Sequence, residues 1–277
     1  ERGSGHLDRG RAGTVIVAQR LRKGSCGSPR GANRLVADAV AQARRLIGGY
    51  RPVLVRMDSA YFGGPAIRAA LSGGAHVSVT VRLTKTIKAA IATIEDEAWT
   101  AIEYTDAIRD EATGEWISRA EVAEIPFTAF AAQKKDHQVP GRLVVRRIPD
   151  VNAEKKKAAG QGTLFDVWRF HAFFTTTDPG TLDTVAADKT HRHHAIIEQV
   201  HADLKNSALA HLPSGKFTAN AAWLVLAVIA FNLTRAAATA TNQPALAKST
   251  TATIRRTLIT VPARIASSAR RIVLHLP

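Results

Sequence analysis

Two carboxylates in distant parts of the sequence are of the chemical type that binds divalent metal ions. Asp58 closes the strand-like run of residues 53–58, and the carboxyl end of a strand is where α/β sheets expose functional groups. Glu198 lies on the polar stripe of a predicted helix. Carboxylate oxygens are the hard ligands that Mg²⁺ or Mn²⁺ requires for phosphoryl chemistry. The pair predicts a metal site, although Asp58 taken alone fits a turn cap equally well.

The helix that carries Glu198 is predicted to begin near Asp188 or Thr190, since both residue types are adequate N-caps. Residue spacings of three and four place several polar side chains on the same face as the carboxylate. They are His191, His194, His201 and Lys205. The opposite side is apolar and consists of Ile196, Ile197, Val200 and Leu204. We therefore expect the helix to pack its apolar side on a core and to present Glu198 outward.

The histidines and aromatic residues near this helix have alternative interpretations. Histidines at helical spacing can chelate zinc, but no cysteine assists them here and the His-Glu-x-x-His order is missing. Partly protonated imidazoles fit a phosphate partner equally well. Trp168 belongs to an aromatic strand-like run for which core packing is favoured over base stacking. The glycine-rich residues 24–31 lack the Gly-Lys-Ser/Thr ending of a nucleotide-binding loop.

The elements that would position these residues follow an α/β pattern. Residues 14–18, 53–58 and 76–82 are predicted strands, and residues 32–47 and a segment from Pro65 are predicted helices between them. Strand-like pieces dominate residues 84–187, which indicates a β-rich insertion. Helices resume over residues 188–241, and residues 242–277 are predicted to form a basic helical tail. We expect a sheet flanked by helices, interrupted by the insertion.

Composition limits the range of possible functions. The chain has 277 residues and a formal net charge of +15. Its two ends hold this charge, with 11 basic and 3 acidic residues up to position 51 and 9 basic and no acidic residues from position 204. Such ends favour a polyanionic partner such as nucleic acid, with a solubilising surface or lipid headgroups as alternatives. Cys26, the single cysteine, indicates a reducing compartment. The apolar run of residues 221–231 is too short to cross a bilayer, which takes about 20 residues, and predicts a buried helix.

The residues around Glu198 resemble a known family. The order His191, two residues, His194, three residues, Glu198, six residues, Lys205 resembles the Tyr, Arg, Glu, Lys signature of DDE insertion-sequence transposases, with Glu and Lys in register. The Asp-Ser-Ala-Tyr-Phe loop that begins at Asp58 resembles their second acidic motif. Residues 18–26 and 198–233 look like actinobacterial members of insertion-sequence family 1380.

The resemblance implies an RNase H-like catalytic domain with a mixed sheet flanked by helices and a β-rich insertion. It also implies two Mg²⁺ ions (or Mn²⁺), nicking of DNA, and transfer of a 3′ hydroxyl to target DNA by a homodimer in the bacterial cytoplasm. By analogy Asp58 and Glu198 bind metal, and Lys205 contacts phosphate at the terminal inverted repeats. His191 and His194 take the Tyr and Arg positions, and a neutral imidazole is a weaker phosphate clamp than a guanidinium. Trp168 is the candidate for stacking a displaced base.

The first acid of the family's triad has no evident counterpart. Family members place it on the opening strand, upstream of Thr14, where Asp8 is the sole Asp and has no apolar strand around it. We therefore expect a transposase that is truncated at its amino-terminal side, with impaired strand cleavage. Two alternatives remain open, namely a catalytically inactive DNA-binding remnant and a metal-dependent nuclease unrelated to transposition.

Overall fold

The computed structural model describes residues 14–48, 51–109, 116–149, 168–193 and 195–275. The chain divides into two compact units. Residues Gly24–His194 form one of them, called the sheet unit below. Residues Glu1–Lys23 and Ala195–Pro277 together form the other, called the helical unit. The predicted division into a catalytic core, an insertion and a tail stays a prediction.

The described residues of the sheet unit form six strands and four α-helices. The strands are β1 (Leu54–Met57), β2 (His76–Val81), β3 (Thr100–Arg109), β4 (Trp116–Ala129), β5 (Val139–Pro149) and β6 (Trp168–Thr175). The helices are α1 (Ala32–Ile47), α2 (Gly64–Ser72), α3 (Lys85–Ile91) and α4 (Thr184–Arg192). The strand order is β1-β2-β6-β5-β4-β3, with β1 and β2 parallel and every other neighbouring pair antiparallel. The predicted mixed α/β fold is confirmed, and it is consistent with an RNase H-like DDE fold.

Both faces of this sheet are covered, as the alternation of side chains along each strand requires. Val40 of α1 and Ile67 of α2 pack with Val77 and Val79 of β2 and with Phe174 of β6 on one side. On the other side Phe173 and Val144 pack against Ala187 of α4. Because β2 pairs with both β1 and β6, the parallel pair and the antiparallel insertion belong to one sheet. The strand that ends at Asp58 is therefore held by a continuous core.

The helical unit contains the remaining elements. They are α5 (Ala195–Lys205), α6 (Phe217–Ala240), α7 (Pro244–Ala247), α8 (Thr251–Ile254), a π-helical turn (Arg255–Ile259), β7 (Arg264–Ser268) and β8 (Arg271–His275). Val200 and Leu204 of α5 pack against Phe231 of α6. The prediction of a helical tail is wrong for its last part, because β7 and β8 form an antiparallel hairpin. Adjacent β-branched residues such as Ile272 and Val273 favour that conformation.

The predicted strand over residues 14–18 is also not observed, since no regular element covers residues 14–23. An extended segment needs a hydrogen-bonded neighbour to be a strand. At Ile16 that neighbour is a side chain: the backbone N–H donates to Asn232 Oδ1 (2.8 Å), and the carbonyl accepts from Asn232 Nδ2 (2.8 Å). The amide of Asn232 on α6 thus takes the place of a strand partner.

Helix α6 contains the apolar run of residues 221–231 and extends beyond it at both ends. It has 24 residues and is long and apolar enough to cross a membrane by length and composition alone. Two of its polar residues are buried and bonded inside the helical unit: Asn220 contacts the backbone of Ser214, and Arg235 contacts Asp203. The predicted burial of residues 221–231 is nevertheless wrong in part, because Val225, Leu226 and Ile229 are exposed. The expectation that the protein has no membrane partner stays a prediction.

Candidate metal and DNA site

Asp58 follows the last residue of β1 and caps a one-turn 3₁₀ helix (Ser59–Tyr61). Its Oδ1 accepts a hydrogen bond from the backbone N–H of Ala60 (2.8 Å). The side chain is exposed, and within the described residues Oδ2 has no hydrogen-bond partner. The cap and the ligand interpretations are therefore compatible, because one oxygen fixes the carboxylate while the other stays available.

Arg56 fixes the strand that leads to Asp58. Its Nη1 donates to the carbonyl of Thr190 in the last turn of α4 (2.7 Å). Burial lowers the pKa of the Arg56 guanidinium, although arginine side chains stay protonated in proteins. A cation at a helix C-terminus also interacts favourably with the helix dipole. The end of α4 is thereby held against β1, two residues before Asp58.

Glu198 lies in the first turn of α5. Its side chain is exposed, as are those of His201 and Lys205 on the same stripe, whereas Val200 and Leu204 are buried. The prediction of a polar face and an apolar back is confirmed for these five residues. Ile197 differs from it, because the side chain expected on the apolar back is exposed. In the described residues the Glu198 carboxylate has no hydrogen bond or ion pair, so it is available to a ligand.

The prediction of one continuous helix through His191 and Glu198 is wrong. Helix α4 begins at Thr184, with Asp183 as its N-cap (Oδ1 accepts from Ala186 N, 2.8 Å), and ends at Arg192. Helix α5 then begins at Ala195. The polar stripe is thus interrupted by a turn at His193, and His191 belongs to a different helix from Glu198. His194 lies outside the described residues, as does Asp8.

His191 is buried against the sheet instead of lying on an open surface. Its ring stacks on Phe173, with centroids 4.2 Å apart and planes 6° from parallel. Nδ1 is 2.7 Å from Ser78 Oγ and Nε2 is 2.9 Å from Thr80 Oγ1. Both ring nitrogens therefore have hydroxyl partners, whichever tautomer is present. These contacts hold α4 on β2 and β6, and the predicted role of His191 in DNA binding stays a prediction.

Replacing His191 with Ala is expected to destabilise the sheet unit by about 3 kcal/mol, because the ring contact is lost and the buried Ser78 hydroxyl loses its partner. Chemical denaturation of the purified chain measures the loss. The matched control is His193→Ala, which removes an exposed imidazole two residues away and should change stability by less than about 0.5 kcal/mol. Equal losses in the two variants would show that His191 has no special packing role.

Trp168 begins β6 and is half-buried at the edge of the main core. The Arg147 guanidinium lies over its ring at 4.5 Å from the centroid, and over the Trp99 ring at 4.3 Å. Arg147 is itself paired with Glu121 and Asp96. The expected core packing is confirmed for the neighbouring Phe170, Phe173 and Phe174, all of which are buried. Base stacking by Trp168 stays a prediction.

A buried ion pair that was not predicted from the sequence joins Asp203, on the same helix as Glu198, to Arg235 of α6. Asp203 accepts hydrogen bonds from Arg235 Nη2 (2.7 Å), from the Thr251 backbone N–H (2.9 Å to Oδ2) and from Thr251 Oγ1 (2.7 Å). Arg235 also donates to the carbonyl of Ser249. The available signal was a single acid beside Val200 on the apolar side of α5 and a single Arg within apolar α6. Charges at such positions are buried only when paired.

The family of this chain follows from comparison with protein families. A family model described as Transposase DDE domain group 1 matches residues 11–277. The chain belongs to this DDE transposase family. A comparison with curated proteins finds no match. DDE transposases act on DNA in transposition and generally use divalent metal ions, so an exposed carboxylate after a strand and another on a helix have the expected chemistry.

The donor set of this DDE transposase fits a hard divalent cation. Asp58 and Glu198 offer carboxylate oxygens, which Mg²⁺ and Mn²⁺ prefer over nitrogen and sulfur. In the described part of the chain, no three or more His, Cys, Asp or Glu side chains are grouped as a metal site. Asp58 belongs to the sheet unit and Glu198 to the helical unit. Their joint role as metal ligands therefore stays a prediction.

Proposed function

We propose that this DDE transposase catalyses Mg²⁺- or Mn²⁺-dependent cleavage of DNA at the terminal inverted repeats of an insertion sequence and joins the 3′ hydroxyl to target DNA. The match of the family model to residues 11–277 carries the proposal. We further propose that the chain belongs with insertion-sequence family 1380 and acts as a homodimer on DNA in the cytoplasm. The single cysteine, Cys26, agrees with a reducing compartment.

In the proposed reaction Asp58 and Glu198 bind the metal. Held by these carboxylates, a divalent ion would supply polarisation of the scissile phosphate and neutralise the charge that develops during in-line displacement. Asp58 is held for this role by its bond to Ala60 N and by the anchoring of β1 through Arg56. Glu198 is held by a helix whose opposite side is packed on Phe231. Both carboxylates thus lie on rigid elements, as a precise ligand set requires.

The proposed DNA-binding residues are Lys205, His191, His194 and Trp168. Lys205 is exposed at the end of α5, two turns along the stripe from Glu198. Its ammonium is a point charge suited to a phosphate close to the metal. His194 is proposed to contact the same DNA strand as Lys205, and Trp168 is proposed to stack on a displaced base. His191 contributes indirectly by holding its own helix α4 on the sheet, since its ring nitrogens are bonded to Ser78 and Thr80.

A change of metal preference tests the role of Asp58. In an Asp58→Cys variant a sulfur ligand replaces the carboxylate oxygen, and Mn²⁺ accepts such a ligand more readily than Mg²⁺. We expect the ratio of nicking rates in Mn²⁺ and in Mg²⁺, measured on terminal-repeat DNA, to be about tenfold higher for this variant than for the unchanged chain. A tenfold change corresponds to about 1.4 kcal/mol of activation free energy. The matched control is Ser59→Cys on the adjacent residue. The same metal ratio in both variants would remove Asp58 from the site.

One observation favours a second function, that of a DNA-binding protein without catalysis. Residues 204–277 contain nine basic and no acidic side chains, and all of these cations except the buried Arg235 are exposed and would bind DNA independently of metal. That function predicts binding with a steep salt dependence and no product in either metal. An unrelated nuclease would instead cut DNA without preference for the terminal repeats and without strand transfer.

A further inference from the structure

The hairpin of β7 and β8 has two chemically different faces. Its register pairs Arg264 with His275, Ala266 with Val273 and Ser268 with Arg271. Directly opposed residues share a face, and side chains alternate along each strand. One face, called the basic face below, therefore carries Arg264, Arg271 and His275. The other face carries Ile265, Ile272 and Leu274.

The cations of the basic face are open to solvent. Arg264, Arg271 and His275 are all exposed. No Asp or Glu follows Asp203 in the sequence, and within the described residues neither Arg264 nor Arg271 has an ion-pair partner. Arg270 adds a further exposed cation at the turn. A set of uncompensated charges on one face of a ribbon is electrostatically complementary to a polyanion.

The apolar side chains exclude a lipid surface as the best partner. They are strongly exposed, with Ile272 at 77%, Ile265 at 69% and Leu274 at 61%. An element that lies on an anionic membrane buries its apolar residues among the lipids while its cations reach the headgroups. On this two-stranded ribbon the two arginines lie on the face opposite the apolar residues. Insertion of the apolar face would direct them away from the headgroups.

A two-stranded ribbon also has dimensions that suit DNA. The major groove of B-DNA admits an α-helix or a two-stranded β-ribbon, with phosphates along both edges. Between its cations the basic face carries Ala266 and Val273, which offer no hydrogen-bonding group to a base. We propose that the basic face of this hairpin binds the phosphate backbone of duplex DNA, without reading its sequence. This inference rests on the proposed function only in taking DNA as the substrate.

Counterion release predicts how strongly the salt dependence of DNA binding should change. Each phosphate contact contributes about 0.9 to the slope of log K against log salt concentration. In the full chain, Arg264→Gln with Arg271→Gln should reduce that slope by about 1.8, measured by fluorescence anisotropy on a random-sequence duplex in EDTA. Arg264→Lys with Arg271→Lys keeps both charges and should keep the slope. Ile272→Thr alters the apolar face with a residue that still favours a strand, and it should also leave the slope unchanged.

Several outcomes would overturn the proposal. An unchanged slope in the double Gln variant would remove the basic face from DNA binding. An equal loss in Ile272→Thr would show that the hairpin acts through its fold or its apolar face. An equal loss after Lys134→Gln with Lys135→Gln, two exposed cations of the sheet unit, would show an effect of total charge. If the double Gln variant lost binding to phosphatidylserine vesicles but kept its binding to DNA, the basic face would be assigned to lipid. Because EDTA excludes cleavage, failure here is separate from failure of the metal site.

Discussion

Replacing Glu198 with Gln is expected to slow DNA cleavage by about a thousandfold, which corresponds to about 4 kcal/mol of transition-state stabilisation. The amide keeps the shape of the carboxylate but removes the negative charge that holds a metal ion. Because the side chain is exposed and has no hydrogen bond in the described residues, the substitution leaves the packing of α5 intact. The loss is therefore one of chemistry and not of folding.

The measurement is a single-turnover rate of nicking on terminal-repeat DNA across a series of Mg²⁺ concentrations. Gln199→Ala is the matched control, since it changes the adjacent exposed residue and should keep the wild-type rate. Binding of the same DNA in EDTA should be unaffected in both variants. Full nicking activity in Glu198→Gln would exclude the residue from the catalytic site, whatever its position in the family signature.

Local sequence signals were sufficient to predict features that depend on a single helix or strand. The periodicity of residues 32–47 predicted α1 with its observed bounds, and glycine at position 48, which has a positive φ, ends it. The exposed stripe and apolar back of α5 followed from spacing alone. Asp58 was placed correctly at the end of a strand for the same reason. Each of these features depends on residues that are close in sequence.

Features that depend on distant residues could not be predicted in this way. The break after Arg192 separates two helices whose contacts differ, because α4 packs on the sheet through Ala187 and α5 packs on Phe231. A helical wheel drawn through both helices placed His191 on the polar face. Its hydrogen-bond partners are instead Ser78 and Thr80, which lie over 100 residues away in the sequence. Residues 14–18 lack a strand partner for a similar reason, since Asn232 bonds to Ile16.

The ion pair of Asp203 and Arg235 illustrates the same limit with larger energetic consequences. Both residues are nearly excluded from solvent, at 9% and 8% exposure. Their partners come from three elements, since Asp203 lies on α5, Arg235 on α6, and Thr251 begins α8. The carboxylate therefore joins the helix of Glu198 to the two elements that pack beside it. Such a connection cannot be inferred from the charge pattern of any one helix.

Replacing Asp203 with Ala is expected to lower the stability of the helical unit by about 3–5 kcal/mol, the usual cost of leaving one member of a buried ion pair without the other. Arg235 would remain buried with its Nη2 unpaired, and its Nε has no hydrogen-bond partner at the outset. The Thr251 N–H and hydroxyl would also lose their acceptor. Hydrogen exchange should therefore show lost protection in α5, α6 and α8 while the sheet unit keeps its own.

The double variant Asp203→Ala with Arg235→Met tests whether the loss of stability comes from leaving one buried charge unpaired. Removing both charges leaves no buried ion, so most of the lost stability should return, as it does when buried pairs are replaced by apolar residues. His201→Ala on the exposed stripe of the same helix is the matched control and should cost less than about 0.5 kcal/mol. A cost below about 1 kcal/mol for Asp203→Ala would mean that the pair is solvated in solution. It would then not be what holds the helix of Glu198 in place.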